Sequence, residues 1–495
     1  MSNSSRHQYE NDAGSSARAP ALNPIWIWLA GGAIALLIVA VATIFWPGIP
    51  MYDTVAQYGE VLSNQIDDWH PPVMVRLWQL LHPLAPGTAP MFVLQVALYA
   101  VGFGMLVAAF TRNERWGSAI ASAFLALSPF LLGWQMVVLK DTQMLGAMIA
   151  ALALLAHYRL AARTVPPVAV AVAALLAAYA TLVRANAVFA TAPLVAFLLP
   201  RPRTLIGRGL LALTAIAALL LATPFIDHRI FGAAPSGVAK TQPLFDLAAI
   251  AVAMPGSPSP FTSAERAEIV RRHCVKAFFW DPLGEPTACG PVVERLQSEP
   301  ERILYLDLAR AVVSHPFAYA EHRLRHWNST ERWLVEPNLP EAEPPDEAEN
   351  NDIGLLTPAS PIMPEWQSVA AAEAGTPLGW PIVWTVIAAL LIPAAWRRRD
   401  EAAGNLALAL VSSVLTLEAS FLVVSIASDI RYHLWSITAS GLALIILSDE
   451  LRQKWRAWIG GALLVGIIVA GGLVTRYTLP VAPSDYQAMI HAPSG

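Results

Sequence analysis

The chain reads as an all-α polytopic membrane protein, and three observations predict that class. Hydrophobic residues make up 56% of the 495-residue sequence and charged residues only 14%, a balance foreign to soluble globular chains of this length. About eleven apolar stretches reach bilayer-spanning length. The arginine runs fall between alternate pairs of those stretches, whereas Asp53, Asp68, His70, Lys140, Asp141, Arg184, Asp429 and Arg431 occupy the other gaps.

The predicted transmembrane helices lie near 25–46, 89–110, 117–136, 142–160, 166–183, 186–200, 204–225, 379–395, 403–427, 433–448 and 457–475. Positive residues orient them. The connections holding Arg112 and Arg115, Arg159 and Arg163, Arg201, Arg203 and Arg208, Arg397 to Arg399, and Arg452, Lys454 and Arg456 share one side, which is therefore cytoplasmic. Residues 1–24, rich in Ser, Asn, Ala and charge, read as a disordered cytoplasmic tail. The run 25–46 is too long for a signal-peptide core and no small-residue cleavage pattern follows it, so it is expected to remain as the first helix. An N-terminal transmembrane module over 25–225, an external domain over 226–378, a C-terminal transmembrane module over 379–475 and an external tail over 476–495 complete the predicted organisation. The net charge of -4, with basic residues dispersed over short turns, argues against nucleic acid as a partner.

Cys274 and Cys289 both fall in the hydrophilic segment 226–378. Sole cysteines sharing one external segment favour a disulfide over two free thiols. Several short helices and irregular loop are expected there, the most helical stretch being 300–333. In it, Ser314 and Pro316 suit a cap and a first-turn proline. Phe317, Leu324 and Trp327 then oppose His322, Arg323, Arg325 and His326. Two readings stand: a helix lying at the membrane surface, or a charged solvent face over a small external core. The Pro-, Glu- and Asp-rich stretch 336–352 reads as a mobile solvated loop whose acids serve solubility. Asn328-Ser329-Thr330 fits the N-glycosylation pattern.

The chemistry is expected in the first external loop, 47–88, at Pro47-Gly48-Ile49-Pro50-Met51-Tyr52-Asp53-Thr54 and Asp67-Asp68-Trp69-His70-Pro71-Pro72. Asp53 sits just beyond the first helix, where a carboxylate partly removed from water has its pKa raised and accepts a proton from an attacking hydroxyl or amine. A plain turn acid and, for His70, a plain turn anchor are the competing readings. Pro71-Pro72 suit a helix start, after which Met74, Leu77, Trp78 and Leu81 share a side opposite Arg76 and Gln79. That pattern describes a surface helix.

Asp53, the Asp-Trp-His-Pro-Pro run with its amphipathic helix, and Lys140-Asp141 in the second external loop resemble the GT-C superfamily of membrane glycosyltransferases, which includes protein O-mannosyltransferases and aminoarabinose transferases. The resemblance covers the membrane part, about two thirds of the chain. It implies a polyprenyl-phosphate-linked sugar as donor, Asp53 as the catalytic carboxylate, and Asp141 as a second acid that holds a metal or orients the acceptor. This sequence departs from better-known members in having no adjacent acidic pair at Asp53 and no Trp-Trp-Asp motif. The acceptor (lipid, polysaccharide or protein) and any divalent metal stay open.

A lipid-phosphate donor follows from the residues as well. Such a donor needs cations at the external face to hold the phosphate and stabilise its charge as it leaves. Lys140, Arg184 in Val183-Arg184-Ala185-Asn186, and Arg431 in Ser428-Asp429-Ile430-Arg431-Tyr432-His433 are at that face. Local pairing of Lys140 with Asp141 and of Arg431 with Asp429 is the alternative. Asp53, Asp68, His70 and Asp141 are donors suited to a divalent ion, though no sequential ligand motif joins them. Asp68 and His70 are otherwise expected to position the loop or the acceptor.

A transporter or flippase of lipid-linked sugars is the second class to weigh. Carriers place ionisable groups near the midplane, often in repeated halves. Here Glu418 is the clearest mid-span charge and no internal repeat is evident. A scaffold that binds a partner through its external domain is the third. The lack of retention or targeting signals tilts the expected location toward a bacterial inner membrane, active face outward.

Overall fold

The computed structural model describes residues 24–199, 204–483 and 485–492. The expected tail over 1–24, but for its last residue, and Arg201 and Arg203 lie outside the described residues. Helices α1 (Pro24–Ala42), α2 (Tyr52–Ser63), α3 (Pro72–Leu81), α4 (Ala89–Arg112), α5 (Trp116–Ala126), α6 (Pro129–Gln135), α7 (Lys140–Arg159), α8 (Pro167–Leu182), α9 (Val188–Leu198) and α10 (Leu205–Phe225) form the first part of the chain. Among the described residues, six helices are by length and composition long and apolar enough to cross a membrane: Ile25–Phe45, Ala89–Arg112, Leu205–Ile230, Ala402–Val424, Ile430–Gln453 and Trp455–Thr478. Shorter apolar helices occupy Pro167–Leu182, Val188–Leu198 and Pro381–Arg397. The chain is thus an all-helical membrane protein among its described residues, and the full count of eleven spans rests on the sequence pattern.

One expected helix, 117–136, is two. α5 and α6 meet at 54°, because Ser128-Pro129 cannot continue a helix and instead begins a new one. Ser128 Oγ accepts from Leu131 N at 3.4 Å, and the Glu373 carboxylate accepts from Ser128 Oγ at 2.8 Å and from Phe130 N at 3.0 Å. Those contacts satisfy the free donors of the α6 N-terminus.

Segment 226–378 contains α11 (Thr241–Ala253), α12 (Ser263–Arg271), α13 (Gly290–Gln297), α14 (Glu301–Ser314), α15 (Pro316–Thr330) and α16 (Met363–Ala374). Leu244, Phe245, Leu247, Ile269, Trp280, Val293 and Leu304 pack around a disulfide between Cys274 and Cys289. The linked positions are 15 residues apart, so removing the bond with Cys274→Ser or Cys289→Ser is expected to destabilise this segment by about 3 kcal/mol. Thermal unfolding of the full chain with and without reductant measures it; equal midpoints would mean that the link contributes nothing.

α15 reverses one expected polarity. Its buried side is polar: His322, Arg323, His326, Ser329 and Thr330 face inward, where Asp246 pairs with His322 (3.2 Å) and with Arg323. Phe317 and Leu324 point outward and are 88% and 56% exposed. A charged solvent face over an apolar core is thereby overturned, because these charges find buried partners inside. His315 occupies the cap position and Ser314 closes α14. Asn328 is engaged at the helix end, donating to Leu334 O at 2.8 Å and accepting from Leu334 N at 3.0 Å, and the adjacent Ser329 and Thr330 are buried, so the triplet is not laid out as an open acceptor.

The acid-rich stretch 336–352 is also pinned rather than solvated throughout. Arg332 donates to Leu339 O and Pro340 O, Ile430 N donates to Glu341 O, and Glu349 N donates to Pro50 O. Backbone partners of this kind override a composition that by itself favours solvent.

The chain returns to the apolar bundle with α17 (Pro381–Arg397), α18 (Ala402–Val424), α19 (Leu434–Gln453) and α20 (Ile459–Thr478), then α21 (Tyr486–His491). α4 packs along α1 and α7, and α18 lies between α9, α17 and α19. Arginines predicted to share one side do gather at one end: Arg115 pairs with Asp449 at 3.3 Å, Arg397 with Glu450 at 3.0 Å, and Arg159 reaches Asn405 and Leu198 O. Beyond α20, the C-terminal stretch folds back, with Ala482, Met489 and Ile490 packed against Phe278, Phe279 and Leu339.

Candidate active site

Two loops are joined first. Gly48 has φ +102°, and a Cβ there would lie 2.6 Å from Val138 and 2.7 Å from Phe92, so only glycine lets the loop approach so closely. Ile49 then forms a parallel bridge with Val137, Ile49 N donating to Met136 O and Val138 N to Ile49 O. Thr54 Oγ1 donates to Val138 O at 2.5 Å and accepts from Met51 N at 3.0 Å, capping α2. Thr142 does the same for α7, accepting from Leu139 N at 3.2 Å. α2 and α7 consequently start side by side, with Asp53 in the first turn of one and Lys140 as the first residue of the other.

From that start the charged groups interlock. Lys140 Nζ lies 2.9 Å from Asp53 Oδ2 and 3.0 Å from His70 Nδ1. Arg431, in the turn Ile430–His433 ahead of α19, donates to the same Asp53 oxygen at 3.0 Å and to Asp429 Oδ2 at 2.9 and 3.1 Å. Arg184 pairs with Asp141 and donates to Asn186 Oδ1 at 2.5 Å. Tyr432 joins the two halves, its ring 4.1 Å from the Arg184 guanidinium and 5.5 Å from that of Arg431, a cation–π arrangement. All of these charged side chains except the half-buried Lys140 are buried.

The cations change the expected acidity of Asp53. Burial by itself pushes its pKa up, but Arg431 and Lys140, followed by His70, overcome that and hold the carboxyl well below its usual range. The raised pKa expected from position alone is therefore corrected: Asp53 is a firmly ionised carboxylate here. His70 moves the other way from a charged partner; burial, then Lys140, push its pKa down to about 3 despite Asp53, so it is a neutral imidazole bonded to the lysine.

The local pairs expected from sequence are redrawn as well. Lys140 pairs with Asp53 rather than with its neighbour Asp141, which takes Arg184. Arg431 keeps Asp429 and adds Asp53. Asp68 is engaged away from the cations, where its Oδ1 accepts from Ser236 N and Oγ, both at 2.6 Å, and its Oδ2 lies 3.6 Å from His228, tying the loop 47–88 to segment 226–236. Among the described residues, no group of at least three His, Cys, Asp or Glu side chains is arranged to hold a metal ion.

Three contributors escaped sequence reasoning. Glu341, from the acid-rich loop, has its pKa raised to about 7 by burial and by Asp429, against the pull of Arg431 and Arg332. Asp281 is raised to about 6, mainly by burial, with Asp429 and Asp53 adding to the effect and a Tyr486 hydrogen bond opposing it. Tyr486 thus brings the C-terminal helix to the same cluster. Only the acidic composition around Glu341 gave any signal; Asp281 and Tyr486 carry none without the fold.

No protein-family model matches the chain, and no curated protein does. Among solved structures, the archaeal oligosaccharyltransferase AglB from Archaeoglobus fulgidus, in complex with an inhibitory peptide and a dolichol-phosphate, is similar over 95% of this chain at 14% identity and a TM-score of 0.37. This chain spans 56% of the length of that one.

Proposed function

We propose that the chain is a membrane glycosyltransferase that moves a sugar from a polyprenyl phosphate to an acceptor at the external face. The observation that carries this reading is the convergence of Asp53, Lys140 and Arg431 at the ends of α2, α7 and α19, opposite the arginine-rich end. Eleven spans with a cytoplasmic arginine-rich side, in a bacterial inner membrane, complete the proposed topology.

Arg431, Lys140 and Arg184 receive the donor phosphate, whose charge grows as the bond to the anomeric carbon breaks. The same cations now bind carboxylates, so a phosphate competes with Asp53 for Lys140 and Arg431. As they turn toward phosphate, Asp53 loses the charges that depress its pKa and becomes a better base. The acceptor hydroxyl or amine then forms a bond to the anomeric carbon while giving its proton to Asp53, and the electron pair of the broken bond leaves with polyprenyl phosphate. Direct displacement inverts the anomeric centre. Asp141 holds Arg184 in place, His70 orients Lys140, and Asp68 anchors the loop. The outward Phe317 and Leu324 of α15 rest on the lipid surface.

Mass spectrometry of polyprenyl-linked sugars and surface glycans in wild-type and deletion cells tests this. The deletion is expected to accumulate one lipid-linked sugar and to lose one sugar from a surface lipid, polysaccharide or protein; unchanged pools would end the proposal. A flippase would give the same cellular result. Transfer by purified protein in detergent, where there is no bilayer to cross, separates the two.

A further inference from the structure

His70 carries a hydrogen-bond donor that no side chain or carbonyl takes up. Lys140 Nζ lies 3.0 Å from His70 Nδ1. An ammonium has three donors and no acceptor, so Nδ1 must accept and the ring proton of the neutral imidazole sits on Nε2. A proton on Nδ1 would instead set two donors against each other. His70 is 3% exposed, and among the described residues its Nε2 is buried with no hydrogen-bond partner. A buried N–H of this kind costs free energy until an acceptor reaches it. The imidazole is fixed by the same lysine that meets Asp53 Oδ2 at 2.9 Å, so the unused donor belongs to the charged cluster.

The residue before it is an exposed tryptophan on a pinned backbone. Trp69 is 40% exposed, yet Ala234 N donates to Ile66 O at 2.8 Å and Asp68 N to Ala234 O at 3.0 Å. Trp69 N itself donates to Asp67 Oδ1 at 2.8 Å, and Pro71 and Pro72 stiffen the chain beyond His70. The Trp69 ring lies against the buried Trp280, with centroids 6.3 Å apart and planes at 44°. Trp280 N donates to Ile426 O at 2.9 Å and Phe279 bridges Ala427, in the stretch that leads into Asp429 and Arg431. The two tryptophans thus join the loop bearing His70 to the turn bearing Arg431, and one aromatic face is left over from the packing.

We propose that Trp69 and His70 form the subsite for the sugar of the lipid-linked donor, an inference that rests on the transferase reading. The Trp69 ring, negative over its face, receives the C–H face of the sugar ring, and His70 Nε2–H donates to a sugar oxygen. Sugar and phosphate are directly bonded, so a sugar whose phosphate is held by Lys140 comes within reach of the imidazole bonded to that lysine. This contact also selects among sugars. A hydroxyl, ring or acyl oxygen accepts from Nε2–H, whereas an ammonium substituent offers only donors.

Binding to the full-length protein in lipid nanodiscs tests the subsite. Labelled polyprenyl phosphate is the reporter, and unlabelled polyprenyl phosphates bearing a hexose, an N-acetylhexosamine or a pentose compete with it. The readout is the ratio of the affinity for the best glycosylated lipid to that for the bare one, which cancels effects on phosphate binding. Trp69→Leu, which keeps an apolar contact with Trp280, and His70→Asn are each expected to lower this ratio about tenfold, and Trp69→Phe to keep it within about threefold. Asparagine sets its amide near the Nδ1 position, so it retains an acceptor for Lys140 and loses only Nε2–H. A wild type with no preference for any glycosylated lipid, or a ratio that survives either the Leu or the Asn change, would overturn the subsite while leaving the transferase reading to its own test. A wild type that binds neither kind of lipid would end the transferase reading and the subsite with it.

Discussion

Asp53→Asn is expected to lower kcat for sugar transfer by roughly two to four orders of magnitude, the contribution of a positioned general base, while donor binding persists. Its Oδ2 takes both Lys140 and Arg431 at 2.9 and 3.0 Å, and an amide cannot accept the acceptor's proton. The pH dependence sharpens the test. In the free protein Asp53 is held well below the usual carboxylate range by Arg431 and Lys140, against burial, so the acid limb of kcat/KM due to this group lies below that range. With donor bound, the phosphate draws those cations away, and the acid limb of kcat is expected at higher pH. Profiles of kcat and kcat/KM that fall together, or an Asn variant as active as wild type, would remove Asp53 from the reaction.

Stability has its own acid dependence, with the same sign for Asp53 and His70. Both have folded pKa values below their unfolded ones, so the stabilisation is complete above the unfolded pKa and is lost as pH falls toward the folded one. For His70 that window opens near its ordinary value of 6.5 and closes at about 3. Asp53 contributes its loss only below the ordinary carboxylate range.

Arg431→Ala is expected to be the most damaging single change to the site. Its guanidinium bridges Asp53 and Asp429, and its removal leaves buried carboxylates facing each other, a loss on the order of 3–5 kcal/mol for a broken buried ion pair. Arg431→Lys keeps the charge but not the planar fork, so it is expected to recover part of the stability and little of the donor affinity. The double variant Asp53→Asn with Arg431→Ala removes both partners and is expected to be less destabilised than the sum of the two single changes, the wild type completing the set of four. Thermal unfolding of the four proteins measures the coupling, and polyprenyl phosphate binding measures the donor role. Strictly additive losses with unchanged lipid-phosphate binding would show that the bridge has neither role.

Much of the site was legible as a set of positions on one side of the bundle. Asp53, His70, Lys140, Asp141, Arg184 and Arg431 stand out because they fall in the gaps between apolar stretches that the arginine runs avoid. Their partners were not legible. Sequence neighbours suggested Lys140 with Asp141, but α7 places successive residues on different faces, so Lys140 turns to α2 and Asp141 to Arg184. Glu341 was hidden in an acid-rich loop because composition reports solvation and not the backbone bonds that pin that loop. α15 showed the converse. The spacing set Phe317, Leu324 and Trp327 against His322, Arg323, Arg325 and His326, but Arg325 is exposed and Trp327 packs inward, and the burial of His322 and Arg323 depends on Asp246, 76 residues before His322.

Composition and periodicity alone determined the helical membrane class, because burial in lipid demands apolar length with every backbone group bonded within its own helix. Only the tertiary structure decided the acidity of Asp53. The sign of that shift depends on whether burial or two cations prevail, and one of those cations, Arg431, comes from 378 residues further along the chain.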